Sequence, residues 1–175
     1  MSKLSKEDLE DGLDYHDAED RVFPKIKAKI LAKQELDKKD VLHILKWKLG
    51  RIKASDSRTI SNKNLLIINK AIRSAGVGNG LDALEALMQI HGIKLAVATT
   101  ILTICYPEKF TIIDFRVLEV LNLFPATTDG WTAQKYVDEF LPVVIKQSEK
   151  WNCSLRNADK ALWGLSVKRR FEEIL

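Results

Sequence analysis

Apolar residues recur at intervals of three and four positions along most of this 175-residue chain. Ala98, Ile101 and Leu102 follow this spacing, which places them on one face of a helix. No segment alternates apolar and polar residues convincingly, as a half-buried strand does. The 8 glycines and 4 prolines are also few for a chain rich in loops or strands. The sequence therefore predicts an all-α fold.

Length and composition predict one soluble globular domain for residues 1–175, with residues 1–16 as a loosely packed arm. Hydrophobic residues make up 46% of the chain and charged residues 30%, which separates it from disordered chains. The N-terminus lacks an apolar signal region, and no apolar run is long enough to span a bilayer. We therefore expect a cytoplasmic protein with no membrane partner.

Cysteine usage bears on cofactors and compartment. Cys105 and Cys153 lie in hydrophobic periodic stretches without metal-ligand spacing, and the sequence lacks the four cysteines that an iron–sulfur centre needs. We expect two reduced thiols in an intracellular protein, with no metal and no cofactor.

Local signals predict several helix boundaries and buried faces. Asp37 is expected to cap a helix that runs through Leu49, with Leu49 on its inward face. Pro142 interrupts the longest periodic pattern and predicts a kink or two abutting helices. A last helix over about residues 155–167 is expected to turn Ala158, Leu162 and Leu165 inward.

Two short helices joined by a tight turn are predicted between residues 81 and 105. The turn is His91–Lys94, and its glycine is Gly92. In such a hairpin, backbone N–H groups and the N-terminus of the second helix face outward together, which suits a DNA phosphate. The formal net charge of +4 is compatible with a polyanionic partner. A plain helical hairpin without a ligand is the alternative.

The residues after the hairpin make the pattern more specific. An apolar stretch, Phe110–Ile113, leads into Asp114, and a helical pattern follows. The run from Ile90 to Leu121 resembles the helix–hairpin–helix DNA glycosylase superfamily, including the 8-oxoguanine glycosylases. The resemblance implies a glycosylase-like helical bundle in which Gly92 is the first hairpin glycine and Asp114 the catalytic carboxylate. Shorter stretches, Ile44–Arg51 and Arg156–Trp163, look like small bacterial members.

Two positions depart from the pattern of that family. Lys94 stands where a second hairpin glycine is usual, so the backbone is either strained there or turns differently. Ala96 stands where bifunctional members carry a nucleophilic lysine. The resemblance therefore implies a monofunctional enzyme that uses water rather than a Schiff base.

A carboxylate suits this chemistry. Cleavage of an N-glycosidic bond builds positive charge on the sugar, which a carboxylate stabilises while it orients a water molecule. At the start of a helix, Asp114 is favoured as the anion. The alternative is that Asp114 serves only as an N-cap, and the two roles are compatible.

The candidate DNA-binding residues fall into two groups. Gly92, Ile93 and Lys94 form the hairpin, whereas Trp47, Lys48 and Arg51 place an aromatic among basic side chains. For the second group the alternatives are core packing for the tryptophan and a solvated helix face for the charges. Two other tryptophans are expected to pack, Trp163 in the core and Trp131 as a loop anchor. For Trp163 a platform on which a base stacks is the alternative.

The sequence thus leads to a DNA N-glycosylase, a hydrolase that removes a damaged or modified base from double-stranded DNA in the nucleoid, acting as a monomer. A non-catalytic helix–hairpin–helix DNA-binding module is the second hypothesis, and a helical protein-interaction adaptor is the third. The pattern does not name the lesion, because base choice depends on residues scattered through the fold.

Overall fold

The computed structural model describes residues 18–50 and 60–172, and within these ranges it contains helices, turns and irregular segments but no strand. The all-α prediction is confirmed. In chain order the α-helices are α1 Ala18–Arg21, α2 Phe23–Leu31, α3 Lys38–Leu49, α4 Asn62–Gly76, α5 Gly80–Met88, α6 Leu95–Cys105, α7 Phe115–Val120, α8 Ala133–Lys135, α9 Leu141–Lys150 and α10 Leu155–Glu172. A 3₁₀ turn spans Thr128–Gly130, and a π-helical segment spans Tyr136–Phe140.

Contacts divide the chain into two compact units, residues 1–69 and 70–175, and the division falls within α4. The arm predicted for residues 1–16 lies outside the described residues. The expectation of one domain for residues 1–175 stays a prediction.

In the first unit, the start of α3 is fixed by side chains. Asp37 and Asp40 form a reciprocal capping box, in which each carboxylate accepts the backbone N–H of the other residue at 2.9 Å. Lys29 Nζ lies 2.6 Å from Asp40 and 3.1 Å from Asp37. The predicted cap is confirmed, and Gly50 ends the helix in the left-handed conformation with a φ of 68°.

In the second unit, α6 is buried along almost its whole length, from Val97 to Cys105. A helix that is apolar all round belongs in a core, and α6 interrupts its apolar run only with threonines. The hydroxyls of Thr100 and Thr103 donate to carbonyl oxygens one turn earlier, Ala96 O and Thr99 O, at 2.7 Å. These bonds satisfy the hydroxyls where water is excluded.

The predicted interruption at Pro142 is a π-helical segment that leads directly into α9, with the proline in the first turn of α9. Proline lacks an N–H and clashes with the carbonyl one turn earlier, so the backbone widens ahead of it. Tyr136 and Phe140 are completely buried in this segment.

Three residues expected to be buried are exposed, so these predictions are wrong. Leu49 is 47% exposed because it is the last residue of its helix, next to the Gly50 terminus. Leu165 is 36% exposed, and Ser166 takes the inward position beyond Ala158 and Leu162. Trp163 is 44% exposed rather than in the core, since it lies on an outer face of α10 against Arg116.

Candidate active site

The hairpin occupies the six residues between α5 and α6. Gly92 takes a φ of 87°, which L side chains rarely adopt, and the N–H of Ile93 donates to Ile90 O at 2.9 Å. Ile93 is buried and anchors the turn, while Gly92 is exposed. The sequence therefore places its glycine at the position that needs one.

Lys94 precedes α6 in ordinary extended backbone, with φ −88° and ψ 173°. The turn thus differs from one that needs a second glycine, and the strain considered for Lys94 is absent. Its Nζ lies 3.0 Å from Asp129 Oδ1, and the two side chains are 80% and 74% exposed. An ion pair this exposed contributes little stability, so an anion such as a phosphate can compete for the lysine.

Asp114 is the N-cap of α7. Its carboxylate accepts the backbone N–H of Arg116 at 3.1 Å, and Arg116 Nη1 lies 3.9 Å from the same oxygen. The Asp114 side chain is 19% exposed. The capping role is therefore confirmed. The cap holds the Asp114 carboxylate in one orientation, and part of its surface is open to solvent.

The segment before Asp114, Phe110–Ile113, is buried and irregular, so its backbone polar groups need partners from side chains. The Tyr136 hydroxyl accepts the N–H of Thr111 at 3.1 Å and donates to the Thr111 carbonyl at 2.7 Å. The N–H of Ile112 donates to Asp159 Oδ2 at 3.4 Å. These contacts hold the chain in place as it enters α7.

A third contact ties this segment to α6. The N–H of Ile113 donates to Thr99 Oγ1 at 3.3 Å. Thr99 lies five residues after Lys94, which corresponds to about 8 Å along the helix axis. The residue before Asp114 is therefore fixed less than two helical turns from the hairpin.

Asp159 and Tyr136 are the polar side chains of α10 and the π-helical segment that bond the chain before Asp114. Asp159 is buried and forms an ion pair with Arg156, one turn earlier on α10. Burial raises the pKa of the Tyr136 phenol above its ordinary value of 10.0, so the hydroxyl stays protonated and can donate to Thr111. Sequence reasoning missed Thr99, Tyr136 and Asp159, because their partners lie 14 to 47 residues away.

Ala96, at the position where the family resemblance implies a lysine in bifunctional enzymes, is half-buried in the first turn of α6. Its carbonyl accepts the hydroxyls of Thr99 and Thr100 at 3.1 and 2.7 Å. The methyl side chain offers no amine for a Schiff base.

The second group of candidate residues belongs to the first unit. Trp47 is half-buried and meets Phe23 edge to face, with ring centroids 5.1 Å apart, which is the packing alternative weighed for it. Lys48 is half-buried, and Arg51 lies outside the described residues. Trp131, in the second unit, is the loop anchor expected, since it is buried and its indole N–H donates to Pro125 O at 2.8 Å.

Within residues 18–50 and 60–172, no helix is both long and apolar enough to cross a membrane. Within the same ranges no three histidine, cysteine or acidic side chains are grouped so that they could hold a metal ion.

No protein-family model, curated protein or solved structure matches this chain.

Proposed function

We propose that this protein is a DNA base-excision glycosylase that hydrolyses the N-glycosidic bond of a damaged or modified base, with Asp114 as the catalytic carboxylate. One observation carries the proposal. The Gly92 hairpin and Asp114 lie near each other because the buried segment that ends at Ile113 is bonded to α6. The hydrogen bond from Ile113 to Thr99 connects the two features over a short distance.

Each part has a role in the proposed reaction. The exposed hairpin residues Gly92 and Lys94 contact a phosphate of the duplex, which fixes the register of the protein on DNA. The target nucleotide leaves the base stack, and Asp114 faces its sugar. The carboxylate stabilises the positive charge that develops there and orients the attacking water. Because Ala96 replaces the lysine, water completes the reaction and leaves an abasic site.

A base-release screen tests this proposal. Duplexes that each carry one modified base are incubated with the protein, and alkali then cleaves the DNA wherever a base has been lost. We expect alkali-dependent cleavage of at least one duplex. A parallel reaction with borohydride is expected to trap no covalent complex, since that requires a Schiff base. Cleavage without alkali, together with a trapped complex, contradicts the monofunctional mechanism.

A non-catalytic DNA-binding module is the second candidate function, and the absence of an amine at Ala96 favours it. This candidate predicts binding to duplex and abasic DNA that weakens steeply between about 50 and 200 mM salt, with no base released from any duplex. Fluorescence anisotropy with labelled duplexes, run beside the screen, separates the two candidates.

A further inference from the structure

A partly exposed stack of aromatic rings and guanidinium groups joins α7 to α10. The Arg116 guanidinium carbon lies 4.5 Å from the Phe115 ring centroid and 5.2 Å from that of Trp163. Arg170 also lies against Phe115, at 5.4 Å. We call these four residues, Arg170, Phe115, Arg116 and Trp163, the aromatic–arginine ladder.

The ladder lies at the surface. Trp163 is 44% exposed although Arg116 covers part of its ring, whereas Phe115 and Arg116 are half-buried. A large aromatic ring at the surface exposes apolar area at a cost in free energy, and an arginine against it marks a face suited to another planar group. Packing within the unit therefore leaves much of the Trp163 ring exposed to solvent.

Charge around the ladder favours an anion. The sequence of α10, Leu155–Glu172, holds five basic residues and two acidic ones, and of the acidic ones Asp159 is buried against Arg156. Arg170 is paired with Glu119 at 2.9 Å in an exposed ion pair of small stability. Arg116 Nη1 lies 3.9 Å from the Asp114 carboxylate, so the ladder adjoins the proposed catalytic group.

We propose that the aromatic–arginine ladder binds an unpaired nucleotide of DNA, with the base stacked on Trp163 and its phosphate held by Arg116 and Arg170. Successive bases stack on aromatic side chains in proteins that bind single strands, and arginine adds cation–π and phosphate contacts. This inference rests on the proposed function and extends it. An enzyme that acts on one base of a duplex must hold that nucleotide unpaired, and the ladder lies beside Asp114.

Binding of unmodified oligonucleotides tests the ladder without any chemistry. The probe is a labelled single strand of about twelve thymidines, within the range that one binding groove covers, and its partner has the same backbone with abasic sites. The two probes carry equal charge, so their difference in affinity reports base stacking. We expect Trp163→Ala to weaken thymidine binding about 5- to 100-fold and to leave the abasic strand nearly unaffected.

Matched variants control for folding and exposure. Trp151→Ala removes a tryptophan that is 38% exposed on the same unit, and we expect it to leave both affinities unchanged. Trp163→Phe keeps an aromatic face and should retain most of the binding. Arg116→Gln should weaken both strands, because it removes a phosphate contact.

The inference is wrong if Trp163→Ala binds the thymidine strand as the wild type does. It is also wrong if both strands lose affinity equally, or if polyglutamate displaces the thymidine strand as effectively as unlabelled thymidine strand. The glycosylase proposal fails separately, when the wild type releases no base. Trp163-dependent stacking without base release therefore supports the ladder and rejects the glycosylase proposal. Base release by the wild type, with normal thymidine binding by Trp163→Ala, supports the glycosylase proposal and rejects the ladder.

Discussion

Replacement of Tyr136 by phenylalanine tests how the chain before Asp114 is held. The Tyr136 hydroxyl makes two hydrogen bonds to one residue, at 3.1 Å to the N–H and 2.7 Å to the carbonyl of Thr111, and both residues are completely buried. The variant leaves both backbone groups without this partner. An unsatisfied buried polar group costs about 1–3 kcal/mol, so for two groups we expect the free energy of unfolding to fall by about 2–6 kcal/mol.

Tyr106→Phe is the matched control, since it removes the same hydroxyl from a less buried tyrosine. Among the described residues Tyr106 makes one side-chain hydrogen bond, donating at 3.1 Å to Ile72 O. This carbonyl lies within α4 and also belongs to the helical hydrogen-bond pattern. We expect a loss of about 0.5–1.5 kcal/mol. Urea unfolding followed by circular dichroism measures both variants. The reasoning is refuted if Tyr136→Phe costs no more than Tyr106→Phe.

Because of Tyr136 we also expect the free energy of unfolding to depend on pH. Burial raises the folded-state pKa of Tyr136 above its ordinary value of 10.0. The stability contributed by the neutral phenol is therefore complete below about pH 10 and is lost as the pH rises toward the folded-state pKa. Tyr136→Phe should lose stability less steeply above pH 10 than the wild type, by up to about 1.4 kcal/mol per pH unit. Equal slopes contradict this expectation.

Two further variants address stability elsewhere in the chain. Thr111→Val removes a buried hydroxyl that has no hydrogen-bond partner among the described residues, so we expect it to raise the free energy of unfolding by up to about 1 kcal/mol, and a clear loss in urea contradicts this. Asp37→Ala removes the α3 cap and should cost about 0.5–2 kcal/mol at neutral pH. Because the hydrogen bond from the Asp40 N–H, followed by the bond from Lys29, lowers the pKa of Asp37 below 3.8, its contribution is present above that value and is lost as the pH falls through the folded-state pKa. The cost of Asp37→Ala should therefore shrink in acid, and a cost independent of pH contradicts the assignment.

Local signals in the sequence predict much of the fold. Caps and turns depend on neighbours along the chain, so Asp37, Asp114 and Gly92 have the predicted conformations. Each restricts the backbone through a short-range effect, either a side-chain bond to a nearby N–H or freedom to take positive φ. The α6 helix is likewise evident from its apolar spacing.

Long-range pairings are not evident from the sequence. Asp159 reads as one charge on a polar helix, yet it is buried and bonds a backbone N–H 47 residues earlier. Tyr136 lies in a helical pattern that gives no sign of its bonds to Thr111. For Trp163, apolar character suggested the core, whereas the packing of α10 on α7 decides which face stays outside. These outcomes depend on how helices pack, which spacing alone does not specify.

The most direct test of the role of Asp114 is the rate at which the Asp114→Asn variant releases a base. The substrate is the duplex that the wild type processes fastest. Asparagine caps a helix about as well as aspartate, so this variant should fold and unfold like the wild type while it lacks the charge. We expect single-turnover release to slow about 10²- to 10⁴-fold. Asp37→Asn, the same change at the other aspartate cap, should leave the rate unchanged. Release by Asp114→Asn at the wild-type rate contradicts the assignment of Asp114 as the catalytic carboxylate.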